Sequence, residues 1–196
     1  TSLGVFHAGG LVHTVVLPVG GNHITHDIAF GLRTPLPEAE KLKVRHGAAS
    51  VHAVQEGELV EVVGVGEREP RVLPRRHLCE IIQPRVEEIL SLVASHLHRP
   101  EVARRVPAGL VLTGGTALLR GFAELATERL GLPARVGYPA GVVGLVDAVY
   151  SPAFATAVGL VLYGARGDRR QRGRAERNGA LWGRFRAWVR GVLHGE

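Results

Sequence analysis

A chain of 196 residues with 45% hydrophobic content can bury a substantial core, and its length lies between one large domain and two small ones. It has no apolar run approaching the roughly 18 residues of a membrane span and no basic start with an apolar stretch of the secretory type. A cytosolic location is expected, and the single cysteine excludes an internal disulfide.

The formal net charge of +6 is unevenly placed. Residues 166–196 carry nine Arg against three acids, while the 15 basic and 15 acidic residues of 1–165 cancel. The excess belongs to a terminal appendage and not to a folded face, so nucleic acid is not an expected partner. The chain contains no methionine and is read as a fragment of a longer protein.

In chain order, LGVFHAGGLVHTVVLPVGG reads as two strands, about residues 3–8 and 11–18, turning at Gly9-Gly10. Asn22 or Thr25 is a suitable cap for a short helix, ITHDIAFGL. PEAEKLKVRHG suits a helix from Pro37 to Gly47, with acids in its first turn and Lys43, Arg45 and His46 near its end, as the helix dipole favours. ASVHAV and ELVEVVGVG read as short strands, and EREPRVLPRR as a loop. Apolar residues at 78, 81, 82, 86, 89, 90, 93 and 97 form a helical stripe. Pro84 is expected to kink that helix or to mark its beginning. GLVLTGGTALLRGFAELATERLG follows as strand, turn and helix, then ARVGYP as a strand. SPAFATAVGLVLYG is an apolar helix with Ser151 as cap and Pro152 at its first position. The pattern is α/β.

LTGGTALLRG, residues 112–121, sets two glycines between a strand and an amphipathic helix. Gly114 and Gly115 let the backbone turn sharply and lie close to a ligand, and free helix N–H groups favour a negative group. The segment has no GKS or GKT and is not a P-loop.

With SPAFATAVGLVLYG, this run resembles the last part of the actin/Hsp70/sugar-kinase ATPase fold. More closely, GNHITHDIAFGLRTPLPEAEKLKVRHG and PRRHLCEIIQPRVEEIL resemble FtsA, the bacterial cell-division family that attaches the FtsZ ring to the membrane. The resemblance covers about residues 3–165. It implies the second lobe of the actin-like fold: subdomain IIA over 1–33 and 84–165, with IIB inserted at 34–83. A disordered basic linker over 166–179 and a membrane-targeting helix over 180–196 are expected to follow.

On the matching positions, Gly114, Gly115, Thr116 and Ala117 would form the adenosine-side loop for ATP, with Glu40, Lys43 and Gly47 facing the adenine and ribose. Read without the family, Glu40 and Lys43 are complementary charges on a solvated helix face. The first lobe, with its phosphate loop and Mg-directed acids, is absent from the chain, so weak nucleotide affinity at most and no ATP hydrolysis are expected. The resemblance also implies that IIB receives the FtsZ C-terminal tail, with Arg75 and Glu80 as leading contacts and Arg76 and Arg85 beside them. A guanidinium fork suits a carboxylate or a peptide carbonyl. Self-association into actin-like filaments is a further implied property.

Other chemistry finds little support. His23/His26 and His96/His98 stand neither in HExxH nor beside cysteines, so no metal site is expected. No serine stands in GxSxG, and Glu87 and Glu88, being consecutive on a helix, cannot face one another. Cys79, within LCEII, reads as a small buried hydrophobe.

In the closing LWGRFRAWVRGVLHGE, Leu181, Trp182, Phe185, Trp188, Val189, Val192 and Leu193 gather on one side of a helical wheel. Arg184, Arg186 and Arg190 lie at its margins or opposite. This is the pattern of an interfacial helix on an anionic membrane surface. A helix docked on the protein's own core is the competing reading, and the basic linker argues against it. The expectation is thus a division adaptor, peripheral on the cytoplasmic face of the cell membrane. A fragment of a sugar kinase or Hsp70-like ATPase, and a basic-tailed nucleic-acid-binding protein, are the alternatives.

Overall fold

The computed structural model describes residues 1–66, 69–99, 102, 106, 108–142 and 149–165. These fall into two compact units, Thr1–Tyr138 and the portion from Pro139 onward.

The first unit opens with the antiparallel hairpin β1 (Ser2–His7) and β2 (Gly10–Val16). Its turn is Ala8-Gly9, one residue earlier than the Gly-Gly doublet suggests, with φ of 49° and 79°. Two-residue turns that match the strand twist need positive φ at both positions, and Gly10 serves instead as the partner of His7.

Helix α1 (Gly21–Gly31) is capped by neither Asn22 nor Thr25, both of which lie inside it. Gly20 precedes it, and the Gly20 N–H donates to Nδ1 of His23 at 3.3 Å. Helix α2 (Leu36–His46) lies where its prolines, charges and glycine place it: Pro35 at the N-cap, Pro37 in the first turn and Gly47 at the C-cap, whose N–H donates to the Lys43 carbonyl at 3.0 Å.

The stretch expected as a strand at ASVHAV is instead a 3-10 turn, Val51–Ala53. Its donors are claimed locally and by a helix: the Ser50 hydroxyl accepts from the His52 N–H, and the Gln83 side-chain carbonyl accepts from the Val51 N–H. Conversely, RVLP, read as loop, is strand β4 (Arg71–Pro74), antiparallel to β3 (Leu59–Val62) with Val60 opposite Leu73.

Helix α3 spans Arg75–Leu97 and runs through Pro84 without beginning there. It starts directly after Pro74, where a residue preceding the helix loses nothing by lacking an N–H. The buried side of α3 is Leu78, Cys79, Ile82, Val86, Ile89, Leu90, Val93 and Leu97, so seven of the eight stripe positions point inward and Ile81 is half-buried. It packs on Ile24 and Ile28 of α1 and on Leu32 just after it, all essentially sealed from solvent. Each such Leu or Ile contributes about 1.5–3 kcal/mol.

Strands β5 (Leu110–Leu112) and β6 (Ala134–Val136) pair in parallel. Between them, the segment after Gly114 is a 3-10 turn, Gly115–Leu118, and helix α4 (Phe122–Leu130) starts only after Gly121. The free helix N–H groups expected at the Gly-Gly doublet therefore lie seven residues further on. A parallel bridge between Ala48 and Arg120 ties the segment after α2 to the end of this loop.

In the second unit, Ser151 caps the chain as expected, its hydroxyl accepting from the Ala153 N–H, but the first turn is 3-10 (Pro152–Phe154) before a helix over 155–165. The linker and terminal helix expected at 166–179 and 180–196 lie outside the described residues, with Leu181, Trp182, Arg184, Phe185, Arg186, Trp188, Val189, Arg190, Val192 and Leu193. Among the described residues no helix is long and apolar enough to cross a membrane.

Candidate functional site

Three pieces distant in sequence meet in the first unit: the start of α1, the middle of α2 and the loop that follows Gly114-Gly115. Gly114 adopts φ 89°, a conformation that favours glycine, and a Cβ at Gly114 or Gly115 would meet nothing within 4 Å. The loop therefore presents bare backbone to open space. Ala117 behind it is buried and anchors the loop to the core.

The loop's far side touches α1. A Cβ on Gly21 would stand 2.3 Å from the Thr116 hydroxyl, so any larger residue at 21 displaces the loop or forces Thr116 to rotate. Lys43 reaches the same place from α2. Its ammonium is buried, and it donates to the Gly21 carbonyl at 3.1 Å and the Thr25 hydroxyl at 2.8 Å, and pairs with Glu40 Oε2 at 2.6 Å. Thr25, itself buried, donates to the same Glu40 oxygen.

Glu40 is the exposed member of this group, with 47% of its side chain accessible. Burial opposes ionisation of its carboxyl, but the hydrogen bonds from Lys43 and Thr25 and the Lys43 charge outweigh it and hold the pKa below its ordinary value. A fixed, half-exposed carboxylate is suited to accept hydrogen bonds from hydroxyl groups of a ligand.

Gly47 stands apart from this opening. It is buried, and a Cβ there would lie 2.3 Å from the Lys43 carbonyl and 2.9 Å from Leu119 Cδ2. The structure places it in a packing contact. Glu40 and Lys43 are linked through Thr25 and Gly21 to Thr116, the neighbour of Gly115 in the chain; Gly21 and Thr25 are not singled out by the sequence reading. The Gly20-Gly21 doublet was the available signal, since two glycines before a helix permit close approach.

The second group of candidates divides. Arg75 is largely buried: its Nε donates to the His46 carbonyl at 2.7 Å and its Nη1 pairs with Glu58, so it ties α3 to the end of α2 and the β3 end of the hairpin. The Arg75 hydrogen bond, with one from the Gln55 N–H, holds the Glu58 carboxyl below its ordinary pKa against burial. Arg85 forks onto both oxygens of Asp27 at 2.7 and 3.0 Å and also meets Glu88, clamping α3 to α1. Arg76 and Glu80 are about half exposed and form an i,i+4 pair at 3.2 Å, with His77 at 3.5 Å from Glu80. This solvent-facing patch on the first turns of α3 is the part of the group free to meet a partner.

The family described as Cell division protein FtsA matches residues 1–159. The chain belongs to the FtsA family. FtsA of Pseudomonas aeruginosa is 43% identical over 164 residues, covering 84% of this chain and 39% of that protein. FtsA of Escherichia coli K12 is 42% identical over 169 residues, covering 83% and 40%. FtsA of Shigella flexneri is 37% identical over 212 residues, covering 99% of this chain and 48% of its relative. The chain thus spans less than half the length of these FtsA proteins.

Among solved structures, MreB5 of Spiroplasma citri bound to ADP superposes with a TM-score of 0.62 at 17% identity, covering 84% of this chain and 50% of that one. A chain of the PilM-PilN type IV pilus biogenesis complex gives 0.58 at 24% identity, covering 83% and 42%. These neighbours carry the fold alone, which is actin-like.

Proposed function

We propose that the protein to which this chain belongs is a cell-division adaptor that holds FtsZ filaments to the cytoplasmic face of the membrane. The observation that carries this reading is the FtsA match across residues 1–159 in a chain whose last sixteen residues have the interfacial-helix pattern. The FtsZ tail is received on the first turns of α3 through Arg76 and Glu80. Arg75 and Arg85 are each engaged within the fold and hold α3 to its neighbours.

ATP, with Mg, is the proposed nucleotide, and its adenosine side lies against Gly114, Gly115, Thr116 and Glu40. The fit rests on the open space before the two glycines and on the exposed, ionised Glu40. The bound nucleotide supplies the phosphates that join two lobes in an actin-like fold, while residues here hold and orient the nucleoside. This chain by itself is proposed to bind nucleotide weakly at most and to hydrolyse none, since phosphoryl transfer needs positioned metal and backbone donors. Actin-like self-association then makes many weak membrane helices act together.

Flotation with anionic vesicles tests the adaptor reading. The full chain should float, and a form lacking residues 180–196 should not. Binding of an FtsZ tail peptide should weaken for Arg76→Glu and Glu80→Arg. Equal flotation of both forms, or salt-sensitive binding to duplex DNA in place of vesicles, overturns it.

A further inference from the structure

Two histidines far apart in sequence stand ring to ring where β2 meets the end of α3. The ring centres of His13 and His96 are 5.8 Å apart and their planes are inclined by 31°. His13 Nε2 and His96 Nδ1 are both sealed from solvent, and neither has a hydrogen-bond partner among the described residues. Leaving a buried polar atom unpaired is costly, and two such atoms on neighbouring rings call for a partner they can share.

Local structure aims both rings inward. Strand alternation turns His13, Val15 and Leu17 toward the interior, while Thr14 and Val16 are exposed. His13 pairs with the buried Val5, and the next pair is Phe6 with Leu11, so Val12 is the extra residue of a bulge. Bulges re-aim the side chains beside them. His96 lies in the last turn of α3 between the buried Val93 and Leu97, where the helix dipole favours a positive charge.

A neutral imidazole carries a proton on one nitrogen and a lone pair on the other. Both residues are partly exposed, so the outer nitrogen of each ring can hold the proton in contact with water and the sealed one is left as a ligand. Two imidazoles that share one transition-metal ion, with each facing nitrogen about 2.0–2.1 Å from it, have ring centres about 5–6 Å apart. A bridging water about 2.9 Å from each nitrogen sets the centres about 6–7 Å apart.

We infer that His13 Nε2 and His96 Nδ1 are the protein ligands of one imidazole-seeking transition-metal ion, of the zinc or monovalent copper type, which clips the first hairpin to the end of α3. Among the described residues no group of three or more potential ligands is present, so the protein supplies two and any others come from solvent. Spacing along the chain sets His96 beside His98, and no metal site is expected from that pair; packing sets it beside His13. The site uses none of the residues assigned above to nucleotide or to FtsZ.

The test is zinc binding to the full 196-residue chain, with monovalent copper kept reduced in a parallel series and magnesium as the hard-ion control. Ten histidines give weak binding elsewhere, so each series includes wild type, His13→Gln, His96→Asn and His98→Gln. The Gln and Asn amides keep a polar atom near the place of the lost nitrogen. Wild type should bind one zinc or copper ion about tenfold or more tightly than His13→Gln or His96→Asn, since a second ligand already in place acts intramolecularly. His98→Gln should bind as wild type does. Proton–nitrogen correlation spectra of the wild-type imidazoles should show His13 Nε2 and His96 Nδ1 shift with one equivalent of metal, the opposite nitrogens staying protonated. This spectrum decides the matter if a variant fails to fold.

Equal affinity of wild type, His13→Gln and His96→Asn for both ions overturns the proposal. So does a loss of the same size in His98→Gln, which puts the ion on the surface of α3. A wild-type spectrum that neither metal changes overturns it too, and if acid then changes that spectrum the pair shares a proton instead.

Discussion

Gly47 and Lys43 are in backbone contact: a Cβ on Gly47 would stand 2.3 Å from the Lys43 carbonyl oxygen, with Leu119 and Ile82 closing the other sides. The same carbonyl accepts the Gly47 N–H that ends α2. Since the obstructing atom is backbone, it cannot rotate away. Gly47→Ala should destabilise the first unit by about 1–3 kcal/mol, measured as a lower urea midpoint with unchanged slope. Unchanged stability would show that the helix end gives way freely.

Arg85 and Asp27 join α3 to α1 by a two-pronged contact. The Asp27 hydrogen bond raises the Arg85 pKa further despite burial, so the guanidinium keeps its charge. Both side chains are partly exposed, and the coupling expected from a double-mutant cycle of Arg85→Ala and Asp27→Ala is about 0.5–1 kcal/mol. Binding of an FtsZ tail peptide should change less for Arg85→Ala than for Arg76→Ala, as Arg85 is already committed within the fold.

Among the described residues, three carboxylates are held below the ordinary value of 4.5: Glu40, Glu58 and Glu87. For Glu87 the Gln83 amide acts first, and Arg129 adds to it against burial. Because each folded-state pKa is depressed, the stability they confer is fully present above about pH 4.5 and is lost as pH falls through the lower folded values. Urea midpoints taken at pH 7 and at pH 3.5 should therefore differ. The difference should shrink when all three are changed to Gln, and an unaltered difference would assign acid sensitivity to other groups.

Cys79 lies on the inward side of α3 with no solvent exposure, and burial pushes its thiol pKa up. Thiolate is the reactive form, so a thiol reagent should label the native chain far more slowly than the chain in denaturant. Similar rates in the two states would mean that α3 opens readily.

Much of this architecture was legible locally. Helix α2 is written in Pro35, Pro37, its acidic start, its basic end and Gly47. The stripe of α3 follows from apolar spacing, and Ser151 signals its own cap. These are effects within one or two turns, where neighbouring residues carry the whole cause. Where partners are distant, local pattern misled. RVLP becomes a strand because Val60 and Leu73 meet across a hairpin, and ASVHAV does not, because Gln83 and Ser50 take its donors.

The candidate site shows the same division. Residue types marked the Gly114-Gly115 loop as chemistry-bearing, whereas the Glu40–Lys43 pair was marked by the family resemblance. That Lys43 spends its three protons inside the fold, that Gly47 packs instead of facing a ligand, and that Arg75 and Arg85 are clamps while Arg76 and Glu80 remain outward, were decided by helix packing. A side chain's availability depends on which acceptors and donors the fold brings within 3 Å of it, and no reading of spacing along the chain contains that distance.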